Sequence, residues 1–293
     1  MSTQAVAEWQ RRGARHDIGA TSVFVVDEPA ARAGVDAPIL VLHGFPTCSF
    51  DWRAVLPVLA AKQRVVLPDM LGYGLSAKPD QAYSLFHQAD LVEAVVSALG
   101  LDAVVLITHD MGDSVGGELL ARELDEKLSF RITRRIITNG SIYLDLAQLT
   151  DGQKFLAALP DESMAADAAP NAEMLAAALR ATLAPASTVT DVELAAEAEL
   201  ITRDGGNRLM PRLIRYIEER RSHEPRWTGA IEKHPAPLTI VWGDLDPIAV
   251  WPMAERLHAA RPDATLVRLE GVGHYPMVEV PDRFGDAVVG RLG

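Results

Sequence analysis

The chain has a single cysteine, no long apolar run and no excess of positive charge, and each of these absences removes a class of function. With Cys48 alone among 293 residues, an internal disulfide and a cysteine-based zinc site are excluded, and a reducing compartment fits. No stretch of about 18 apolar residues offers a membrane span. The N-terminal MSTQAVAEWQRRGARHD lacks the apolar core of a secretory leader. A formal net charge of -12 leaves no basic face for nucleic acid or an anionic membrane. Phosphate loops, dinucleotide fingerprints and metal-ligand clusters are missing, so neither a cofactor nor a metal is expected. What remains is a cytoplasmic enzyme of ordinary globular composition, 48% hydrophobic and 23% charged, with a homodimer left open.

This length is near the upper limit of one hydrophobic core, which favours a single catalytic domain carrying an insertion. Short apolar runs alternate with helical stretches over the first ~140 residues, the pattern of a parallel sheet with crossover helices. Strands are expected at Ser22–Val26, Pro38–Leu42, Arg64–Leu67, Ala103–Thr108 and Ile136–Thr138, with helical stretches at Trp52–Ala61 and Ala89–Leu99. From Ser141 to Arg226 the strand pattern stops and Ala, Leu and Glu dominate, broken by Pro160, Pro170 and Pro185 into short helices. Strands return at Leu238–Val241 and Thr265–Leu269. The organisation is therefore an α/β core from 1–140 and 227–293 with a helical lid at 141–226. A separate helical domain is the alternative, and it would leave a C-terminal half too short to fold alone.

The chemistry centres on VVLITHDMGDSVGGELLAR, Val104 to Arg122. An apolar strand enters Thr108-His109-Asp110-Met111-Gly112 and leaves as a helix, with small residues two before and two after Asp110. That is the layout of a nucleophile elbow, in which a tight turn lifts one side chain above the sheet. With Asp in place of Ser, the reaction class shifts from acyl transfer to displacement at an alkyl carbon through an ester intermediate. Taken alone, the pentapeptide equally suits an Asp capping a helix. Two further sites strengthen it: WGDLDP puts Asp246 on the loop after a strand, and GVGHYP puts His274 on a glycine-flanked loop after the next. The chain order of nucleophile, acid, histidine is that of the α/β-hydrolases. His43-Gly44-Phe45-Pro46, directly after a strand, looks like an oxyanion turn in which Phe45 and Met111 act through their backbone N–H groups. His43, Pro46 and His109 are candidates for the pocket wall, although a rigid turn with a buried imidazole would explain His43 and Pro46 as well.

Read together, HGFPTCSFDW, LPDMLGYGLSAKP, HDMGD, WGDLDP and GVGHYP resemble the epoxide hydrolase and haloalkane dehalogenase branch of the α/β-hydrolase superfamily, over nearly the whole chain outside the lid. HDMGDSVGGELLAR and RYIEERRSHEPRWTGAI are similar to the mesoderm-specific transcript group within it. The resemblance implies an α/β-hydrolase fold with a mostly parallel sheet and an inserted helical lid. Asp110 would be the nucleophile, His274 the base that activates water and Asp246 its orienting acid. Epoxide hydrolases of this fold protonate the opening ring with lid tyrosines, because an alkoxide leaves poorly without a proton. Tyr216, 30 residues before Asp246, matches the second such tyrosine. For the first, no Tyr lies between Leu144 and Arg215, and Tyr143 at the lid edge is the one candidate. Haloalkane dehalogenases hold the departing halide with Trp or Asn side chains where this chain has Met111 and Phe45. Trp52, Trp227 and Trp251 remain as donors, with Trp52 reading more naturally as core. An arginine for fluoroacetate is replaced by Met111 and Ser114. A non-catalytic binding module is the third alternative, against which stands the intact Asp110, Asp246 and His274 set. A lid rich in Ala, Leu and Met implies a small apolar epoxide as substrate, with water as co-substrate and no site for an anion.

Overall fold

The computed structural model describes residues 3–31 and 37–292. One sheet of eight strands runs through the molecule: β1 (Ala14–Ile18), β2 (Thr21–Glu28), β3 (Ile39–Leu42), β4 (Val65–Pro68), β5 (Ala103–His109), β6 (Arg131–Thr138), β7 (Leu238–Gly243) and β8 (Thr265–Leu269). They are ordered β1-β2-β4-β3-β5-β6-β7-β8. β1 and β2 form an antiparallel pair, and β2 also runs antiparallel to β4; from β4 to β8 every pairing is parallel. All residues of β3, β4 and β7 are buried, as expected for strands covered by helices on both faces. The chain reverses its direction of winding at β3, so loops leaving the carboxyl ends of β3 and β5 diverge and open a crevice above the sheet.

β1 is absent from the strands expected above because ARHDI is a charged edge strand, largely exposed and bonded on one side only. The start of β6 also precedes the expected Ile136 by five residues, since RITRR reads as a polar loop. Arg135 within it is 3% exposed. Its Nη1 donates to the Ile231 carbonyl at 2.7 Å, and Nη2 donates to His234 and Ala236 carbonyls at 2.9 and 3.2 Å. A guanidinium thus closes the C-terminal end of the helix Tyr216–Lys233, whose last carbonyls have no helical partner.

Between β6 and β7 the described chain has no strand. Its longer helices are Asp151–Ala158, Ala172–Arg180, Asp191–Thr202 and Tyr216–Lys233. Thr150 with Gln153 and Thr190 with Glu193 form reciprocal capping boxes, and Asn171 caps the helix between them. The boundary expected at 226/227 falls inside the helix Tyr216–Lys233, which accommodates Pro225 and continues. Its second half packs on the helix Met111–Leu124. Trp227 Nε1 donates to Glu118 at 2.8 Å, and a Cβ on Gly117 would lie 3.0 Å from Trp227 Cβ. The division between insertion and core is therefore a position along one helix rather than a break in the chain.

Replacing Arg135 by Met keeps much of the volume but strands the Ile231 and Ala236 carbonyls, while that of His234 keeps Arg261 as a donor. We expect a loss of about 3 kcal/mol, which at about 2 °C or more per kcal/mol for a chain of this size gives a Tm drop of at least ~6 °C by calorimetry. A Tm within ~2 °C of wild type would show that water replaces the guanidinium at no cost.

Candidate active site

β5 ends at His109 and the next helix starts at Met111, leaving a single residue to turn the chain. That residue, Asp110, has φ 52° and ψ -116°, a conformation costing a non-glycine residue about 1–3 kcal/mol. Close approach on two sides maintains it. A Cβ on Gly44 would come 2.5 Å from Asp110 Cβ, and one on Gly112 would come 2.5 Å from the Leu42 carbonyl oxygen. The carboxylate makes no cap bond to its own helix, so the capping alternative does not hold. Oδ1 instead accepts the Phe45 N–H at 2.8 Å. Met111 occupies the first helical position, where an N–H has no helical acceptor. The two N–H groups expected to form an oxyanion hole thus belong to the turn and helix end that flank this carboxylate.

Oδ2, the other oxygen, lies 3.7 Å from His274 Nε2. His274 Nδ1 is 2.8 Å from Asp246 Oδ2. Asp246 Oδ1 accepts the backbone N–H groups of Ile248 and Ala249 at 2.7 and 3.0 Å, which fixes the acid's rotamer. Asp110, Asp246 and His274 are all buried. Asn139 completes the arrangement. It follows β6 directly at φ 47°, donates Nδ2 to Asp246 Oδ2 at 2.8 Å and accepts the Gly243 N–H at 3.0 Å. Sequence inspection passed over it, although an Asn-Gly pair after a strand is a signal for a left-handed turn.

The α/β-hydrolase fold model matches residues 37–281. The chain belongs to this family. A putative hydrolase, LipZ, of Mycobacterium tuberculosis is 40% identical over 100% of this chain and 99% of its own length. The mesoderm-specific transcript protein of Mus musculus is 31% identical over 98% and 88%. Among solved structures, haloalkane dehalogenase DbeA from Bradyrhizobium elkani superposes with a TM-score of 0.77 at 20% identity, covering 96% of this chain and 97% of its own. That likeness shows the fold.

In this α/β hydrolase the two other histidines near the triad have structural work to do. His43 Nδ1 faces the Gly44 carbonyl at 2.9 Å and Nε2 accepts the Met70 N–H at 2.9 Å, so the ring is neutral and ties the oxyanion turn to the loop after β4. Burial lowers its pKa. His109 Nε2 meets the His274 carbonyl at 2.8 Å and must donate there; burial first, then the charge on His274, pull its pKa to about 4. One ring secures the turn and the other the histidine loop, and His109 Nδ1 is buried without a hydrogen-bond partner. Pro46 is half-buried.

The phenols divide in the same way. Tyr216 packs at 5.6 Å from Phe45, and burial together with the Asp110 charge raises its pKa. The Arg220 charge and the Gln153 side chain oppose that rise. Gln153 Oε1 accepts the Thr150 N–H at 2.9 Å, and no acceptor takes the Tyr216 hydroxyl proton among the described residues. Tyr143, by contrast, donates to Glu232 at 2.7 Å and lies under the Arg256 guanidinium at 4.1 Å; the structure does not bring it to Asp110. Tyr73, which the sequence reading passed over, does belong here. Its hydroxyl donates to Met111 Sδ at 3.2 Å, and burial and the charges of Tyr216 and Asp110 raise its pKa.

Burial opposes a charge on His274, but the charge and hydrogen bond of Asp246 and the charge of Asp110 outweigh it and raise its pKa to about 8. Folding therefore tightens proton binding. The resulting stabilisation is whole below the ordinary histidine value of 6.5 and is lost as pH rises through about 8. NMR titration should place His274 at about 8, and Asp110→Asn should lower its midpoint toward the ordinary 6.5 by removing one of the three carboxylates that raise it. An unchanged midpoint in Asp110→Asn would mean that the nucleophile's charge does not reach the histidine.

Proposed function

We propose that this α/β hydrolase opens an epoxide to a vicinal diol through an ester on Asp110. The observation that carries this reading is the Tyr216 phenol, buried against Phe45 within reach of the Asp110 charge, with no acceptor for its proton among the described residues. A departing halide needs no proton; an epoxide oxygen does.

Asp110 Oδ2, the oxygen without a backbone donor, attacks the ring carbon, and the breaking C–O bond takes the Tyr216 proton. Esterification removes the negative charge that had held the His274 proton in place, and the imidazole becomes free to act as base. Water gives His274 a proton and adds to the Asp110 carboxyl carbon. The oxyanion that forms on Oδ1 lies where the Phe45 N–H already donates, with Met111 N–H as the second donor. Collapse releases the diol and restores the carboxylate, and the proton on His274 returns to Tyr216.

The halide reading lacks donors. Trp9, Trp227 and Trp242 donate to Ser49, Glu118 and the Ala249 carbonyl. Trp52 keeps an unpaired buried Nε1–H, but its ring packs against Phe284 of the C-terminal helix at 5.7 Å, and Trp251 lies under Arg268. A purely binding role would leave a strained nucleophile, a raised-pKa base and its hydrogen-bonded acid without a use.

His274→Ala should stop turnover and trap the ester, seen as a mass increase on the Asp110 peptide; an adduct elsewhere would refute the assignment. Tyr216→Phe removes one oxygen and keeps the ring against Phe45. Its alkylation rate with styrene oxide should fall roughly 100- to 10,000-fold, with Tm nearly unchanged. Should Tyr143→Phe slow alkylation as much, the pair of tyrosines expected at the lid edge would be restored; fast alkylation in Tyr216→Phe would remove the phenol from the mechanism.

A further inference from the structure

Two arginines in this protein are buried without a carboxylate partner among the described residues, and they differ in one respect. In Arg135, Nε, Nη1 and Nη2 all donate to backbone carbonyls. Arg220, 5% exposed, gives Nε to Ser114 Oγ at 2.7 Å and Nη1 to the Ser141 carbonyl at 3.1 Å, and Nη2 is buried with no acceptor. An unpaired buried cation with an unused donor is costly unless a ligand completes it.

Its location identifies the ligand's position. Arg220 follows Tyr216 by one turn on the same helix, and its guanidinium lies 5.0 Å from the Tyr216 ring. Ser114 follows Asp110 by one turn, about 6 Å along the elbow helix. The Arg220–Ser114 pair is therefore displaced one helical turn from the Tyr216–Asp110 pair, on the same two helices. Ser114 Oγ accepts from Arg220 and has its own O–H left to give. Two donors, Nη2–H and Oγ–H, thus belong to one bonded pair a helical turn from Asp110, and two oxygens on one planar group would satisfy both. Asp113 does not fill that role: both its oxygens lack hydrogen-bond partners, so neither accepts from Arg220.

We infer that the substrate is an epoxide bearing a carboxylate, held by Arg220 Nη2 and Ser114 Oγ one helical turn from Asp110. This replaces the expected apolar substrate without an anionic site, and it rests on the epoxide reading above. The guanidinium also offsets the repulsion between the substrate's carboxylate and that of Asp110, which would otherwise keep such a substrate out.

The test uses the wild-type protein with oxirane-2-carboxylate, 3,4-epoxybutanoate and 4,5-epoxypentanoate, each against its primary amide, following Asp110 alkylation and diol release. At least one acid should exceed its amide in kcat/KM by about 10- to 100-fold. Arg220→Gln should collapse that ratio to near one, and Arg220→Lys should retain part of it. Independently of turnover, butanoate should raise the Tm of wild type and not that of Arg220→Gln, while butanamide should shift neither. Acids and amides alkylating Asp110 equally well in wild type would overturn the carboxylate site and leave the epoxide reading standing. Butanoate stabilising wild type selectively while no epoxide alkylates Asp110 would keep the anion site and remove the epoxide reading. Equal stabilisation of wild type and Arg220→Gln by butanoate would overturn the anion site directly.

Discussion

One negative charge, that of Asp110, sets the electrostatics of everything around it. It is buried, its backbone is held in a conformation that a non-glycine residue adopts at a cost, and one of its oxygens has a backbone donor while the other faces His274. The same charge contributes to raising the pKa of His274, Tyr216 and Tyr73. For the phenols this means that the resting site keeps its protons. For the imidazole it means that the resting site favours the protonated ring. Any change that neutralised the carboxylate would relax both constraints together, because the Coulomb contribution is common to all three. A serine in the same turn would provide no such coupling, since its hydroxyl is neutral before the reaction starts.

The strain in that turn is supported by backbone rather than by side chains. Gly44 and Gly112 let β3 and the elbow helix approach within a distance that a methyl group would block, and this contact brings the Phe45 N–H to Asp110. His43 and His109 then act at one remove. The first ties the oxyanion turn to the strand on its far side, the second ties the elbow to the loop bearing His274. Two buried imidazoles next to a catalytic carboxylate suggest chemistry when read in one dimension; the hydrogen bonds at both nitrogens of His43 leave no capacity for it.

The meeting of Asp110, Asp246 and His274 was legible in the sequence because each member follows a strand in a short contiguous motif, so that the local pattern marks the residues the fold brings together. The oxyanion turn was legible for the same reason. Asn139 was not, because its role depends on β6 lying between β5 and β7, an order that no local stretch encodes. Tyr73 and Arg220 were missed on similar grounds: one comes from the loop after β4 and the other from a helix ~100 residues beyond the nucleophile, and only packing brings them to it. Tyr143 illustrates the opposite error. Its position in the chain suited a catalytic tyrosine, yet Glu232, one residue before the C-terminal end of the helix Tyr216–Lys233, takes its hydroxyl. Edge strand β1 and the basic start of β6 escaped notice because their polarity hides them from any search for apolar periodicity.

The helix Tyr216–Lys233 is fastened to the sheet and its flanking helices at several points. Its far half is fastened to the core at Glu118, which takes both Arg226 and Trp227, and at its end by Arg135. Nearer the site, Glu219 accepts from Ser84 Oγ and the Leu85 N–H at the start of the helix Leu85–Ala98, where a carboxylate also complements the helix dipole. Arg220 then reaches the elbow helix through Ser114. Three separate elements of the core, the helix Met111–Leu124, β6 and the helix Leu85–Ala98, thus fix this helix. The helix Asp151–Ala158 is tied to its start by Arg215, which donates to the Ala157 carbonyl, while the helix Asp191–Thr202 is tied to the core by Arg53 and Glu197. The position of Tyr216 therefore rests mainly on the core, because the helix that carries it is fastened there along its length.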